Sequence, residues 1–341
     1  MKQVTLGRTG IISPKNAFGA LPVQRVPTGP AELLLRRAYD VGFRFFDTAR
    51  GYSDSEEKIG RALSDIRHDI TIATKTMASN VTEFWQYLET SLTNLKTDYI
   101  DIYQFHSPAY CPRPGDDIGL YDAALEAKKQ GKIRFIGFTN HRPNVAEEAV
   151  RSGLFDTLQF PFCYLASETE IELVRLCKEH DVGFIAMKAL SGGLITKSDA
   201  AYAWLDQFYN VLPIWGIQRE SELDEFAGYF DAPPTMDERI TAIIEDDRKD
   251  LVGSFCRACG YCAPCPMDIQ INMCARMSQL IRRAPSANLL SDTTRDMMMN
   301  IENCTGCGQC MTRCPYNLEI PELLKKNLAD YKEILAGKIS V

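Results

Sequence analysis

Between about residues 15 and 230, short apolar runs alternate with longer segments whose apolar residues recur at helical spacing. The apolar runs fall at 43–47, 70–75, 100–105, 133–139 and 182–187. None alternates strictly between apolar and polar, so both faces are expected to be buried, which favours a parallel sheet. Helical segments lie between them. Residues 31–41 carry an apolar face, and Asn80 followed by Glu83 gives a capping signal for a helix that ends near Lys96. A further helix is expected over 168–179. About eight strand–helix repeats fit this span, which is the count and length of a (β/α)₈ barrel. An open, doubly wound sheet is the alternative, but no glycine-rich dinucleotide fingerprint follows the first strand.

The chain's 341 residues leave room for a barrel plus a small module. Hydrophobic residues make up 45% and charged residues 24%, an ordinary globular profile. The net charge of −7 gives no support to nucleic-acid binding or to adhesion on an anionic membrane. No stretch approaches the roughly 18 apolar residues of a membrane span. The opening MKQVTLGRTG lacks the apolar core of a signal peptide, so a cytoplasmic protein is expected. Cysteine usage changes the picture. Nine of the 12 cysteines fall between Cys256 and Cys314. A disulfide scaffold is out of place without an export signal, and clustered cysteines then point to metal binding. The lopsided distribution suggests a domain boundary near residue 250, inside the charged run 245–250, dividing the chain into 1–250 and 251–341.

In a barrel, chemistry belongs at the C-terminal ends of strands. Asp47 closes FRFFD with Tyr52 in the next loop, Lys75 closes ITIATK, His106 closes IDIYQFH, and Gln159 lies in TLQF. Singly, each has a plain structural reading: a helix cap, a solvated strand end or a satisfied buried histidine. Together they surround one pocket with an acid, a phenol, an ammonium and an imidazole. The stretch FFDTARGYSDSEEKIGRAL (45–63) resembles the signature of the aldo-keto reductase superfamily. The likeness extends over roughly residues 1–230 through LGRTG, YIDIYQFHSP, IRFIGFTNH and TLQFPF.

That resemblance implies a catalytic tetrad of Asp47, Tyr52, Lys75 and His106, a reduced nicotinamide, NADP(H) or NAD(H), as hydride donor, and a small carbonyl or alcohol substrate. Tyr52 is expected to supply the proton. A nearby Lys75 is expected to favour the phenolate by roughly 4 kcal/mol at 4 Å and an effective dielectric near 20, with Asp47 cancelling part of this. The resemblance further implies nicotinamide contacts at Gly19, Thr139, Asn140 and Gln159. Where the family presents a stacking Tyr, this chain reads IAMKALSGG, which places Met187 or Lys188 there; Phe162 or Tyr164 is the alternative cover. Gly192 and Gly193 are either a pyrophosphate approach or a plain turn. Arg219 is the one obvious cation for a 2′-phosphate. Tyr110 and Arg113, in the loop 107–120, are candidate substrate contacts.

Cys304, Cys307, Cys310 and Cys314, followed by Pro315, have the C-x₂-C-x₂-C-x₃-C-P spacing of a bacterial ferredoxin. Cys256, Cys259, Cys262 and Cys265, followed by Pro266, form an earlier run with its last spacing one residue shorter. A zinc site is the competing reading of two C-x₂-C pairs. The region resembles ferredoxin-type dicluster modules appended to aldo-keto reductases. This implies two [4Fe–4S] clusters, one on Cys256, Cys259, Cys262 and Cys314, the other on Cys304, Cys307, Cys310 and Cys265. About 40 residues separate the runs, with helical stretches at 271–283 and 291–300, so the expected fold is α/β: a (β/α)₈ TIM barrel followed by a small, mainly α-helical ferredoxin-like iron–sulfur domain. Cys274 lies outside both runs. Three functions fit: a nicotinamide-dependent carbonyl reductase with structural or sensing clusters; a reductase fed single electrons by a ferredoxin-like partner; and a non-enzymatic electron-transfer or sensing protein.

Overall fold

The structure is a computed structural model that describes residues 2–251, 255–283 and 287–339. Ten strands are present in the described residues: β1 (Gln3–Thr5), β2 (Ile12–Pro14), β3 (Ala17–Gly19), β4 (Phe45–Asp47), β5 (Thr71–Thr76), β6 (Ile100–His106), β7 (Ile133–Thr139), β8 (Thr157–Pro161), β9 (Gly183–Met187) and β10 (Val211–Gly216). β1 and β2 form an antiparallel hairpin; the other eight close a barrel in the order β10-β3-β4-β5-β6-β7-β8-β9. Every barrel pairing is parallel.

The all-apolar runs are explained by burial on both faces, inward to the barrel and outward to the helices. Inside, Phe45, Ala73, Ile102, Ile185 and Leu212 pack with Val4 and Leu6 of the hairpin region, which close the N-terminal mouth. The helix Val81–Leu95 is capped as expected: Asn80 Oδ1 accepts from the Glu83 amide at 3.0 Å, and Glu83 Oε2 accepts from Ser79 N at 2.8 Å. Lys96 ends it in a left-handed conformation. The helix Glu168–Glu179 starts with a Ser167–Glu170 capping box. The helix expected over 31–41 begins earlier, at Thr28, because Pro30 is tolerated in a first turn.

The chain divides into two compact units, one of 1–189 with 201–236, the other of 190–200 with 237–341. The charged run 245–250 lies within the helix Glu238–Leu251 of the second unit. That unit is helical. The single helix expected over 271–283 is instead two, Ile271–Cys274 and Met277–Arg283, separated where Arg276 N bonds back only to Met273 O. Asp292–Met299 follows, and Ile320–Leu335 is the longest helix of the unit, with Ile320, Leu324, Leu328, Tyr331 and Ile334 buried along one face. Among the described residues, no helix is long and apolar enough to cross a membrane.

Candidate active site

Parallel register lifts the polar strand ends to one mouth of the barrel. Asp47 ends β4, His106 ends β6, and Lys75 is the penultimate residue of β5, paired with Gln104 on β6. Lys75 and Asp47 are 1% and 2% exposed, so their charges must be satisfied within the protein. The Lys75 ammonium donates to both Asp47 carboxylate oxygens at 2.7 Å and to Thr48 O at 2.6 Å. Burial holds the Asp47 carboxyl above its usual range, against the opposing charge of Lys75 and bonds from Gln159 and Gln104.

Tyr52 sits in the loop after β4, with Lys75 Nζ 5.2 Å from its ring centroid and the His106 ring edge-on at 5.9 Å. The expected acidification of the phenol does not follow. Burial is the largest influence and raises the Tyr52 pKa from 10.0; Lys75 pulls it down but Asp47 pushes it up. The low-dielectric pocket that strengthens Lys75's field also penalises the phenolate itself. His106 is pushed down to about 3, by burial first and by Lys75 second. It is neutral at physiological pH, and its buried Nδ1 has no hydrogen-bond partner among the described residues.

This makes a pH prediction. A histidine whose folded pKa lies below its unfolded value stabilises the fold fully above the unfolded pKa and loses that contribution as pH falls. His106 is therefore expected to give no inflection in kcat/KM between pH 6 and 8, and His106→Asn to flatten the loss of stability that wild type shows on acidification from 6.5 towards 3. Denaturant midpoints at several pH values check this; a His106 resonance titrating near 6.5 contradicts it.

Side chains not singled out in the sequence hold this arrangement. Gln104 Nε2 donates to Gln159 Oε1 at 2.8 Å, and Gln159 Nε2 to Asp47 Oδ2 at 3.3 Å. Gly137 makes room for this chain, since a Cβ there would lie 2.7 Å from Gln104 Cγ. Glu56, fully buried, accepts from Thr74 and Ser91 at 2.7 Å and from Arg50 at 2.6 Å, anchoring the loop that carries Tyr52. It lies on the inward face of the helix Ser55–Leu63, one turn before Ile59. His141 is a second buried imidazole, depressed by burial and then by Lys188 and His106.

The expected nicotinamide contacts fare unequally. Gln159 faces Asp47 and Gln104, leaving one Nε2 hydrogen. Asn140 Oδ1 accepts from the His141 and Arg142 amides at 2.9 Å and its Nδ2 donates to Pro108 O at 2.9 Å, again leaving one hydrogen. Thr139 Oγ1 accepts from Ser107 N at 3.1 Å. Gly19 lies against β10, where a Cβ would be 3.0 Å from Trp215 O. Met187 is partly buried and packs on the barrel core. Lys188 follows it with φ 55°. Phe162 is not a candidate ring cover: it is 1% exposed and packed among Phe184, Trp204 and Phe208. Tyr164 is likewise fully buried. Arg219 is exposed before the helix Glu220–Asp231, with Glu222 at 3.7 Å. Arg113 pairs with Glu148 at 2.8 Å, and Tyr110 has a buried hydroxyl without a partner among the described residues.

In the second unit, all eight cysteines of the two runs gather around two cavities. One is lined by Cys256, Cys259, Cys262 and Cys314. The other is lined by Cys265, Cys304, Cys307 and Cys310, with Cys262 at their boundary. Fourth thiols thus cross between the runs, as a dicluster requires. A zinc ion with Zn–S near 2.3 Å needs its sulfurs within about 3.8 Å of one another. Among the described residues, no three His, Cys, Asp or Glu groups converge on a single ion in this way. Each cavity is lined by four thiols of the two runs, the donor number that a [4Fe–4S] cube takes. Burial raises the Cys256 thiol and pushes that of Cys262 up to about 12, so both need a metal to be held as thiolates. Cys274 is buried in neither cavity, its Sγ directed at Met297 O.

Residues 17–203, more than half of the chain, match the aldo/keto reductase family. The chain belongs to that family. Residues 255–319 of this aldo/keto reductase match a 4Fe-4S dicluster domain, and all eight clustered cysteines fall inside the match. Among its relatives is the uncharacterized oxidoreductase YqkF of Bacillus subtilis, 32% identical over 48% of this chain and 57% of that protein. The methylglyoxal reductase DkgB of Escherichia coli O157:H7 is 34% identical over 34% of this chain and 45% of that protein. The chain thus spans about half the length of these relatives. In fold it is similar to the holo form of an aldo-keto reductase from Bacillus halodurans, with TM-score 0.64 and 21% identity over 72% of this chain and 96% of that one. A Klebsiella pneumoniae aldo-keto reductase in complex with NADPH gives TM-score 0.63 at 20% identity, over 72% and 94%.

Proposed function

We propose that this aldo/keto reductase reduces a small carbonyl compound, or oxidises the corresponding alcohol, with a nicotinamide nucleotide, in the cytoplasm. Residues 1–250 perform the chemistry, and residues 251–341 hold two [4Fe–4S] clusters on the two cysteine sets. The convergence of Asp47, Tyr52, Lys75 and His106 carries this reading. A bound reduced nicotinamide supplies hydride to the carbonyl carbon. Tyr52, kept protonated by burial, gives its proton to the carbonyl oxygen as negative charge develops there. Lys75, fixed on Asp47, is a positive charge beside that oxygen's position. His106, neutral, hydrogen-bonds and orients the substrate. The free hydrogens of Asn140 and Gln159 suit a carboxamide, and Arg219, exposed at a helix N-terminus, suits an added phosphate.

One observation keeps a second reading in view. Cys307 is exposed, so the cluster set to which it belongs is open to a ferredoxin-like donor of single electrons. Anaerobic turnover separates the two. The first reading expects NADPH or NADH to be oxidised stoichiometrically by a small dicarbonyl such as methylglyoxal, the compound named in the DkgB relative, whether or not the clusters are reduced. Turnover that appears only with a reduced ferredoxin, with neither nucleotide bound, overturns it in favour of the second.

A further inference from the structure

Arg276 is the unexplained charge of the cysteine-rich unit. It is 4% exposed, and among the described residues no carboxylate pairs with it. One Nη donates to the carbonyl oxygens of Ser191 at 3.1 Å and Gly192 at 2.8 Å, and its Nε is buried with no hydrogen-bond partner among the described residues. A buried guanidinium without an anion is costly, so the site calls for a negative charge. Arg276 follows Ala275, which lines the cavity of Cys256, Cys259, Cys262 and Cys314. Ala275 and Cys256 belong to the same buried cluster, so the turn that carries Arg276 packs with this ligand set.

The placement is built. Gly192 has φ +64°, and a Cβ there would lie 3.3 Å from both Nη atoms. The left-handed glycine thus leaves the guanidinium its space. Arg257 lines the same cavity, but it is partly exposed and stacked 4.5 Å over the Tyr316 ring, where water screens its charge. Around the other cavity the lining contains no Lys or Arg among the described residues; Lys325, a cation acting on Cys304, is exposed and paired with Glu322 at 2.8 Å, and the guanidinium of Arg313, which donates to Pro264 O at 3.1 Å, is exposed to water.

We propose that Arg276 sets the reduction potential of the cluster held by Cys256, Cys259, Cys262 and Cys314: its buried positive charge, held by the Ser191 and Gly192 carbonyls, stabilises the one-electron-reduced state. The inference rests on the two-cluster reading above. One electron arrives from an external donor, no bond forms or breaks, and the added negative charge meets a cation already in place. The two clusters are thereby unequal, and an electron taken up at the set with exposed Cys307 settles on the set beside Arg276.

The test is an EPR-monitored redox titration of the cluster-loaded full chain with dithionite, comparing wild type with Arg276→Met. The expected result is a downward shift of one midpoint potential with the other unmoved, at unchanged iron content. Two unmoved midpoints, or equal shifts of both, overturn the proposal. Should Arg276→Met fail to load, two variants decide. Arg276→Lys is expected to restore loading, because the charge is kept, and Gly192→Ala to lower the same midpoint by pressing on the guanidinium. An unloaded lysine variant, or an unmoved midpoint in the alanine variant, overturns the proposal. Wild type lacking the iron of two clusters refutes the cluster reading itself, a distinct outcome.

Discussion

Tyr52→Phe is expected to lower kcat for carbonyl reduction by about 10²- to 10⁴-fold, the range that a positioned proton donor contributes. Nucleotide affinity is expected to stay within about twofold, because the lost hydroxyl is needed for proton transfer and not for binding. The variant removes one oxygen from a ring whose packing on His106 and Lys75 remains, so the fold should persist. Burial also predicts an asymmetry in wild type. With the phenol held above its ordinary value of 10.0, the reductive direction keeps a protonated Tyr52 across the neutral range, whereas alcohol oxidation, which needs the phenolate, rises steadily as pH increases. Single-turnover kinetics in both directions, with nucleotide binding measured separately, check this. Full carbonyl reduction by the phenylalanine variant would remove Tyr52 from the mechanism.

Lys75→Met is expected to destabilise the protein by about 3–5 kcal/mol and to abolish turnover, since it strips the cation from a buried carboxylate. Among the described residues, Asp47 has only the Gln159 and Gln104 amides, at 3.3 Å and 3.5 Å, as further side-chain donors. Its folded-state pKa, already raised by burial, rises further when Lys75 is lost. A carboxyl raised above its unfolded value near 3.8 binds its proton more tightly in the folded state. The variant's stability is therefore greatest in acid and falls as pH rises from about 4 through the raised folded pKa. The double change Lys75→Met with Asp47→Asn should recover most of the stability and none of the activity. Urea titrations of the single and double variants at pH 5 and 8 test both parts. Equal stability of Lys75→Met at the two pH values would show that Asp47 is not held as described.

Much of this protein was legible from its residues because burial on both faces leaves a strong local mark. The runs at 70–75, 100–105, 133–139 and 182–187 lie on β5, β6, β7 and β9 with ends shifted by a residue at most. β3, of three residues, and β10, which contains Pro213, gave weaker signals: a proline argues against a central strand, yet here it lies in register with Ala186 on β9. The helix Ile320–Leu335 was not anticipated, although Pro321 at its start and the recurrence of Ile320, Leu324, Leu328 and Tyr331 were present to be seen. In the candidate site, Asp47, Lys75 and His106 were marked by their position at strand ends. Gln104 and Glu56 were not, since a glutamine within a strand and a glutamate in a charged helix look solvated until their partners are known.

The sequence by itself determined the alternation of strands and helices and the spacing of the eight thiols, because periodicity and spacing are properties of neighbours along the chain, and its motifs carried the resemblance to the family. Only the tertiary structure decided the balance of forces at the site. Burial of Tyr52 outweighs the charge of Lys75, Asn140 and Gln159 spend most of their hydrogen bonds on the scaffold, and Arg276 is buried against the Ser191 and Gly192 carbonyls. Desolvation depends on everything packed around a group, and those neighbours lie far away in the chain.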